Sequence, residues 1–473
     1  MAGDAALELG DIQGIVLNGW VRLKFCRCLF LGVHNAGAVK RWLGTAVREV
    51  ATARRRPKGA EMPGTHVQIG FTAAGLAALG LPSDAMQTFP RDFRVGMAHP
   101  DRSAVLGDRG DSAPERWQVG GPNTPPVHIL LMLYALTRAA LDEVTATLCP
   151  AEGLEEVFRQ DSVRHDSTEP FGFRDGISQP AIEGAPQPVL PGQDVVKPGE
   201  FILGYVNAYG EQPPMPTVSA ALDPANLLTP HAGDPARRAL GRNGTFLVLR
   251  KLAQDVDGFW RFLDAQTRRP DGSSDPERRT WLAAKLVGRW PSGAPLVLAP
   301  DRDDPALGSD GRRNNDFRFA SSDPYGEVCP LGSHVRRCNP RDSLVGSPAR
   351  SLRISNRHRI VRRGRPYQEA SERGLLFVAL NADLERQFEF IQQAWVNDPA
   401  FNGLHDNKDP LAADNDGGGV MMIPGRPVRQ RIHGLPRFVT VRGGGYFFVP
   451  GIRALRFLAT CPLPPEPAGS ADA

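Results

Sequence analysis

Cysteine is scarce and scattered: there are 6 in 473 residues, Cys26, Cys28, Cys149, Cys329, Cys338 and Cys461, and no CxxC pair. That excludes a disulfide framework and a cysteine-based zinc ribbon, and it matches the reduced inventory of a cytoplasmic protein. Long apolar runs are also lacking. No stretch reaches the roughly 18–20 apolar residues that a membrane-spanning helix needs. Residues 1–11 hold neither a basic run followed by an apolar core nor a twin arginine, so no signal peptide is expected. No charge of one sign dominates. The 56 basic and 52 acidic residues leave a net charge of +4 and are interspersed, which gives no footprint for nucleic acid.

What the chain does have is length, glycine and proline. Its 473 residues exceed one ordinary core and point to about two to three domains, or to one duplicated domain. The 50 glycines and 43 prolines predict long, structured loops. Apolar periodicity predicts a strand at 27–33, a helix at 36–50, a strand at 65–70 and a short helix at 72–78 that Thr72 caps. A continuous apolar strand at 127–135 runs into a helix at 136–148. The pattern returns later, with a strand at 244–249, helices at 256–267 and 276–287, and a strand-like run at 358–362. A buried strand at 374–380 then leads into a helix at 382–395. Two β runs, 437–441 and 446–449, flank Gly443, Gly444 and Gly445. The strand-then-helix pair at 127–148 corresponds to that at 374–395. The fold class is α+β, in two halves, each an antiparallel sheet with helices on one face. Between them, 161–240 is rich in loops and proline, and a connection of that length is usually functional.

Phe171-Gly172-Phe173-Arg174-Asp175-Gly176-Ile177-Ser178-Gln179-Pro180 opens this connector. Gly172 and Gly176 permit backbone angles closed to other residues. The stretch reads either as a turn whose Asp175 bonds its own backbone, or as a loop that presents Asp175 at one fixed place. His334 stands out among the 10 histidines, because Pro330 and Pro340 bracket the segment that carries it. One imidazole without a second His or carboxylate nearby is a poor zinc pattern, but it suffices for haem iron. In Ile360-Val361-Arg362-Arg363-Gly364, alternation puts Ile360 and Arg362 on one face and Val361 and Arg363 on the other. The run is either a solvated basic edge or an arginine directed into a cavity. Leu375 and Phe377 share a face, as core residues or as the apolar wall of a pocket.

Taken together, these segments resemble the dye-decolorizing peroxidase family. Gly172-Phe173-Arg174-Asp175-Gly176 matches its GxxDG motif, 329–341 resembles its proximal-histidine segment, and 360–364 resembles its distal-arginine strand. Asp11-Ile12-Gln13-Gly14, 374–380 with the helix after it, and 435–448 are also similar, in the family's order and over nearly the whole chain. The resemblance implies two ferredoxin-like halves: 8–160, and a haem-binding 241–460. The connector 161–240 would carry the GxxDG motif, and 461–473 would be a flexible tail. It implies one haem b per chain between sheet and loops of the C-terminal half. His334 would be the proximal iron ligand. Gly172, Phe173, Arg174, Gly176, Ile177, Leu375 and Phe377 would lie against the cofactor, with Asp175 and Arg362 as distal catalytic residues. Arg363 is the alternative register for the arginine. Asp409 would accept the Nδ1–H of His334, with Asp406 as the alternative. Ser333 departs from the Ala that the family often has before the histidine.

The implied activity is a haem peroxidase that reduces hydrogen peroxide through a ferryl intermediate and oxidises aromatic, phenolic or dye-like donors. A haem-binding, storage or sensing protein with little turnover is the alternative, and it needs His334 but not Asp175 with Arg362. Tyr325, Tyr367, Trp395 and Tyr446 are candidate electron relays or plain packing residues. Family members often associate, so a homo-oligomer is a further expectation.

Overall fold

The computed structural model describes residues 6–55, 63–149 and 151–463. In the N-terminal half, β1 (Phe25–Val33), α1 (Ala36–Ala46), β2 (Thr65–Phe71), β3 (Ile129–Ala135), α4 (Arg138–Leu148) and β4 (Leu154–Val163) form one sheet in the order β2–β3–β1–β4, all antiparallel. Short helices α2 (Ala73–Ala78) and α3 (Pro100–Leu106) lie in the long β2–β3 connection. The Thr72 hydroxyl accepts the Gly75 N–H as expected of a cap, and Asn35 and Thr137 cap α1 and α4 in the same way. Helix α1 stops at Ala46, short of the expected residue 50, because Val50 and Ala51 turn to pair with Val67.

The C-terminal half repeats the plan with β5 (Thr245–Gln254), α5 (Val256–Gln266), α6 (Pro276–Val287), β6 (Val361–Arg362), β7 (Arg365–Gln368), β8 (Arg373–Asn381) and β11 (Val439–Val449), in the order β6–β8–β5–β11 with β7 also on β8. Before β6 come α7 (His334–Cys338) and α8 (Pro348–Arg357). The hairpin β9 (Gly419–Ile423) with β10 (Gln430–Leu435) and helix α9 (Ile452–Thr460) complete it.

The strands of both halves merge into a single nine-stranded sheet where Phe448 of β11 meets Phe71 of β2. Both phenylalanines are fully buried. One face carries the helices, through Val39, Leu43, Leu141, Leu455 and Leu458. The other is covered by the N-terminal segment, with Ile12 and Ile15, and by the connector, with Ile182, Phe201 and Tyr205. The helices therefore sit on one face, as expected, yet the strands are apolar on both.

Four expectations need correction. Strand β4 was not foreseen and takes residues 161–163 out of the connector. It is an edge strand with exposed Glu155 and Glu156, so it lacks an apolar signature. Of 358–362, only Val361 and Arg362 are strand, because Ser347 and Pro348 start a helix that runs to Arg357. The helix at 382–395 consists of two π-helical segments, Glu385–Glu389 and Ile391–Val396. The runs 437–441 and 446–449 belong to one strand, which passes through the glycines. A Cβ on Gly444 would lie 2.2 Å from the Leu249 carbonyl oxygen, and one on Gly443 would lie 2.6 Å from that of Val119. Residues 464–473 of the expected tail lie outside the described residues.

Candidate active site

A cavity of about 310 Å³ opens on the helix-bearing face of the C-terminal sheet. Side chains two apart share a face of a strand, so Arg250, Leu252 and Gln254 of β5, Leu375 and Phe377 of β8, and Val439 and Val441 of β11 build one wall. His334, Val335 and Cys338 of α7 and residues 173–178 of the connector build others, with Leu106, Gly107, Asp108 and Ser112 from the N-terminal half.

His334 is the first residue of α7. The buried Ser333 before it donates its hydroxyl hydrogen bond to the Lys285 carbonyl of α6 at 2.8 Å, which fixes the start of the helix. His334 Nδ1 lies 2.9 Å from Asp409 Oδ2, and Asp409 Oδ1 accepts the Leu411 and Ala412 N–H groups. Asp409, not Asp406, is the partner. Asp409 is fully buried; burial pushes its carboxyl up, but His334 and the backbone donors outweigh it and hold it below the ordinary range. Burial likewise opposes the charged imidazole, yet the Asp409 carboxylate holds His334 well above its usual value. The loop that carries Asp409 is tied to α7 by buried Arg337, which donates to the carbonyls of Trp395, Asp398 and Asn407.

The connector loop is clamped from inside by Glu169. Its Oε1 accepts the Phe173 N–H and its Oε2 accepts the Phe171 N–H and Gln254 Nε2. Gly172 and Gly176 take φ of 97° and 80°, which favours glycine, while a Cβ on either would meet nothing within 4 Å. Glycine is thus needed for conformation and not for space. Asp175 Oδ1 accepts the Gly176 N–H at 2.6 Å, and Asp175 also lines the cavity.

Beyond Asp175 the loop is stitched to β6. Arg362 Nη2 donates to the Ile177 carbonyl at 2.8 Å, and its backbone N–H donates to Gln179 Oε1 at 3.1 Å. Arg362 faces the cavity, with its guanidinium on Ile177 and not on Asp175. Arg363 points the opposite way and donates to the carbonyls of Ile15 and Val16.

Several lining residues carry no clear signal in the sequence. Arg359 shares the arginine-rich run, but Arg289, Glu169, Gln254, Asp108 and Arg250 come from distant segments. Three arginines, Arg289, Arg341 and Arg359, are buried together and donate mainly to carbonyls. Burial, with neighbouring arginines, pushes them down to about 10, 9 and 10. Among the described residues, Asp194 is the one carboxylate in ion-pair contact with this group, 3.8 Å from Arg359. Buried positive charge in such excess requires an anion. The cavity also holds buried polar atoms without partners on Asp108, Arg250, Gln254 and Asn339. A flat apolar group with anionic edges, held by one imidazole, satisfies this lining, and a haem is such a group.

The four relay candidates separate clearly. Tyr325 is 72% exposed. Tyr367 is buried on the sheet face away from the cavity, with its hydroxyl on Glu372 at 2.8 Å. Trp395 is buried, 5.3 Å from the His358 ring. Tyr446 is buried with its hydroxyl on Glu389 at 2.7 Å.

Comparison with known proteins agrees with this cavity. A family model described as Dyp-type peroxidase, C-terminal, matches residues 302–424. The chain is 32% identical to a dye-decolorizing peroxidase of Exidia glandulosa over 95% of its own length and 87% of the relative's. It is 29% identical to the multifunctional dye peroxidase DyP2 of Amycolatopsis, covering 96% and 97% of the two chains. Its structure is similar to that of a decolorizing peroxidase from Auricularia auricula-judae, with a TM-score of 0.79 at 28% identity over 96% and 100% of the chains. It is also similar to a dye-decolorizing peroxidase solved with 2,6-dimethoxyphenol, with a TM-score of 0.78 at 28% identity over 96% and 100%. Among the described residues no helix is long and apolar enough to cross a membrane. The chain belongs to the dye-decolorizing peroxidase family, and it is a haem-dependent peroxidase that reduces hydrogen peroxide and oxidises aromatic or dye-like donors.

Proposed function

We propose that His334 holds the iron of one haem b per chain, with Asp409 accepting its Nδ1–H and so raising the basicity of the ligand. The pairing of Nδ1 with a fully buried carboxylate, on a residue that faces a 310 Å³ cavity, carries this reading. Gly172, Phe173, Arg174, Gly176, Ile177, Leu375 and Phe377 lie against the cofactor, and the buried arginines balance its carboxylates. The haem supplies the redox equivalents for peroxide reduction, and the protein supplies position and charge. Asp175 would move a proton from one oxygen of hydrogen peroxide to the other, so that water can leave. Arg362 keeps its positive charge throughout and steadies the charge that develops as the O–O bond breaks. Leu375 and Phe377 keep that side of the cavity dry.

The test compares wild type with His334→Ala, Asp175→Ala and Arg362→Leu. Loss of the Soret band in His334→Ala, with slowed peroxide reaction in the other two, is the expected result. A Soret band that survives in His334→Ala would sink the ligand assignment. We further infer a division into halves at 8–163 and 241–460 with the connector between them, which the repeated sheet order supports. A cytoplasmic location is inferred from the thiols, since all six cysteines are free.

A further inference from the structure

Away from the cavity, α1 of the N-terminal half packs on α9 of the C-terminal half. The helices approach so closely that a Cβ on Gly44 would lie 3.9 Å from Ala459 Cβ. One turn before Gly44 stands Lys40, and directly after α9 comes Cys461. Each is only 6% exposed. Lysine is seldom buried to that degree without a counter-charge. Among the described residues, the Lys40 ammonium finds both of its hydrogen-bond partners on Cys461: it donates to the carbonyl oxygen at 2.5 Å and to the sulfur at 3.3 Å.

A lysine that merely closed the end of α9 would need the carbonyl alone. Its second contact, with the sulfur, sets a nitrogen nucleophile against an oxidisable atom. A cation beside a cysteine favours the nucleophilic form of its sulfur. Among the described residues, Cys461 is the one cysteine whose sulfur accepts from a lysine. Cys26, Cys28 and Cys329 are more deeply buried, whereas Pro462 and Leu463 are exposed, so the Cys461 sulfur lies just beneath the surface. A molecule as small as hydrogen peroxide, the oxidant this enzyme meets in turnover, reaches such a place.

We propose that Lys40 and Cys461 are a peroxide-dependent modification site, at which a reversible sulfur–nitrogen bond joins α1 to α9. The Cys461 sulfur attacks one oxygen of hydrogen peroxide: an S–O bond forms and the O–O bond breaks. The departing hydroxide takes the thiol proton and leaves as water. Cys461 is then a sulfenic acid, oxidised by two electrons, and peroxide has been reduced by two. Lys40 releases one proton to solvent, and its amine nitrogen attacks the sulfur. An S–N bond forms, the S–O bond breaks, and the second hydroxide leaves as water with another proton from the nitrogen. Such condensation of a sulfenic acid with nitrogen is known cysteine chemistry, and a thiol reverses it. The bond ties together positions 421 residues apart, one in each half, and so restrains the unfolded chain as a disulfide would.

The test treats the haem-loaded enzyme with hydrogen peroxide, blocks remaining thiols with iodoacetamide, and maps peptides by tandem mass spectrometry without reductant. Wild type is expected to give a linked pair of peptides carrying Lys40 and Cys461, lighter by two hydrogen atoms than the two together. Dithiothreitol should release it. Lys40→Arg keeps a cation at the end of α9 but removes the amine, so there the link is lost and dimedone should trap Cys461 as the sulfenic acid. Tm should rise with peroxide in wild type, fall back with dithiothreitol, and show neither change in Lys40→Arg or Cys461→Ser. Recovery of wild-type Cys461 as a free thiol, or as an unlinked sulfinic acid, overturns the proposal. So does a linked pair that retains one oxygen, since its bridge would be N–O–S. None of these outcomes touches the residues of the cavity, so the peroxidase reading stands or falls separately.

Discussion

Asp409 lies 2.9 Å from His334 Nδ1 through one carboxylate oxygen, and it spends the other on the N–H groups of Leu411 and Ala412. Both oxygens are committed, so the carboxylate cannot turn. Asp409→Asn keeps the shape and removes the anion, and its amide N–H must face one of these donors. The haem-loaded variant should show a raised iron midpoint potential and peroxide activity lower by about 10–100-fold, the usual effect of losing such a partner. Spectroelectrochemical titration reads the first, and an unmoved potential would refute the electrostatic role.

Arg362 and Arg363 are adjacent, yet they lie on opposite faces of the sheet. Arg362→Leu should slow the reaction with peroxide by about 10²–10³-fold, the scale on which a fixed donor to developing charge acts. Arg363→Leu should spare that rate and lower stability instead. It strips the buried Ile15 and Val16 carbonyls of their donors, at about 1–3 kcal/mol each. Stopped-flow absorbance and denaturant melts of both variants check this, and equal loss of rate in the two would show the register to be wrong.

Glu169 holds the loop that carries Asp175. Glu169→Gln turns an amide N–H₂ toward the N–H of either Phe171 or Phe173, leaving at least one buried donor unpaired at about 1–3 kcal/mol. Hydrogen exchange should quicken across 169–176, and peroxide reactivity should fall with it. Exchange as slow as in wild type would show that the loop does not depend on this clamp.

Asp92 is buried, and burial, together with the charge of Glu389, pushes its carboxyl from 3.8 to about 6. Between these values the folded protein binds more protons than the unfolded chain, so stability falls as pH rises through about 4 to 6. Above that window the charged form costs up to about 3 kcal/mol, since one pKa unit is 1.36 kcal/mol. Asp92→Asn, which keeps an acceptor for the Phe93 N–H, should raise Tm at pH 8 and lose most of that advantage near pH 4. A Tm difference that does not change with pH would sink this account.

The sequence alone determined the repeat of strand and helix, the glycine-dependent turn around Asp175, and the alternation that puts Arg362 and Arg363 on opposite faces, though not which of the two faces the cavity. These are local properties: apolar period, backbone freedom and side-chain direction are written within a few residues of one another. It did not disclose β4, whose edge position lets polar residues face water. Nor did it disclose the π-helical turns after β8, which have the same apolar spacing as an α-helix over so short a run. Only the tertiary structure decided that Asp409 and not Asp406 meets His334, because the choice depends on how Arg337 ties one loop to another helix. Only the tertiary structure gathered Asp108, Glu169, Arg250 and Arg289 at one cavity, since no spacing along the chain relates them. The turn at Asp175 could be read as a turn from its glycines, but it became part of a site when the fold set it across the same cavity as His334 and Arg362.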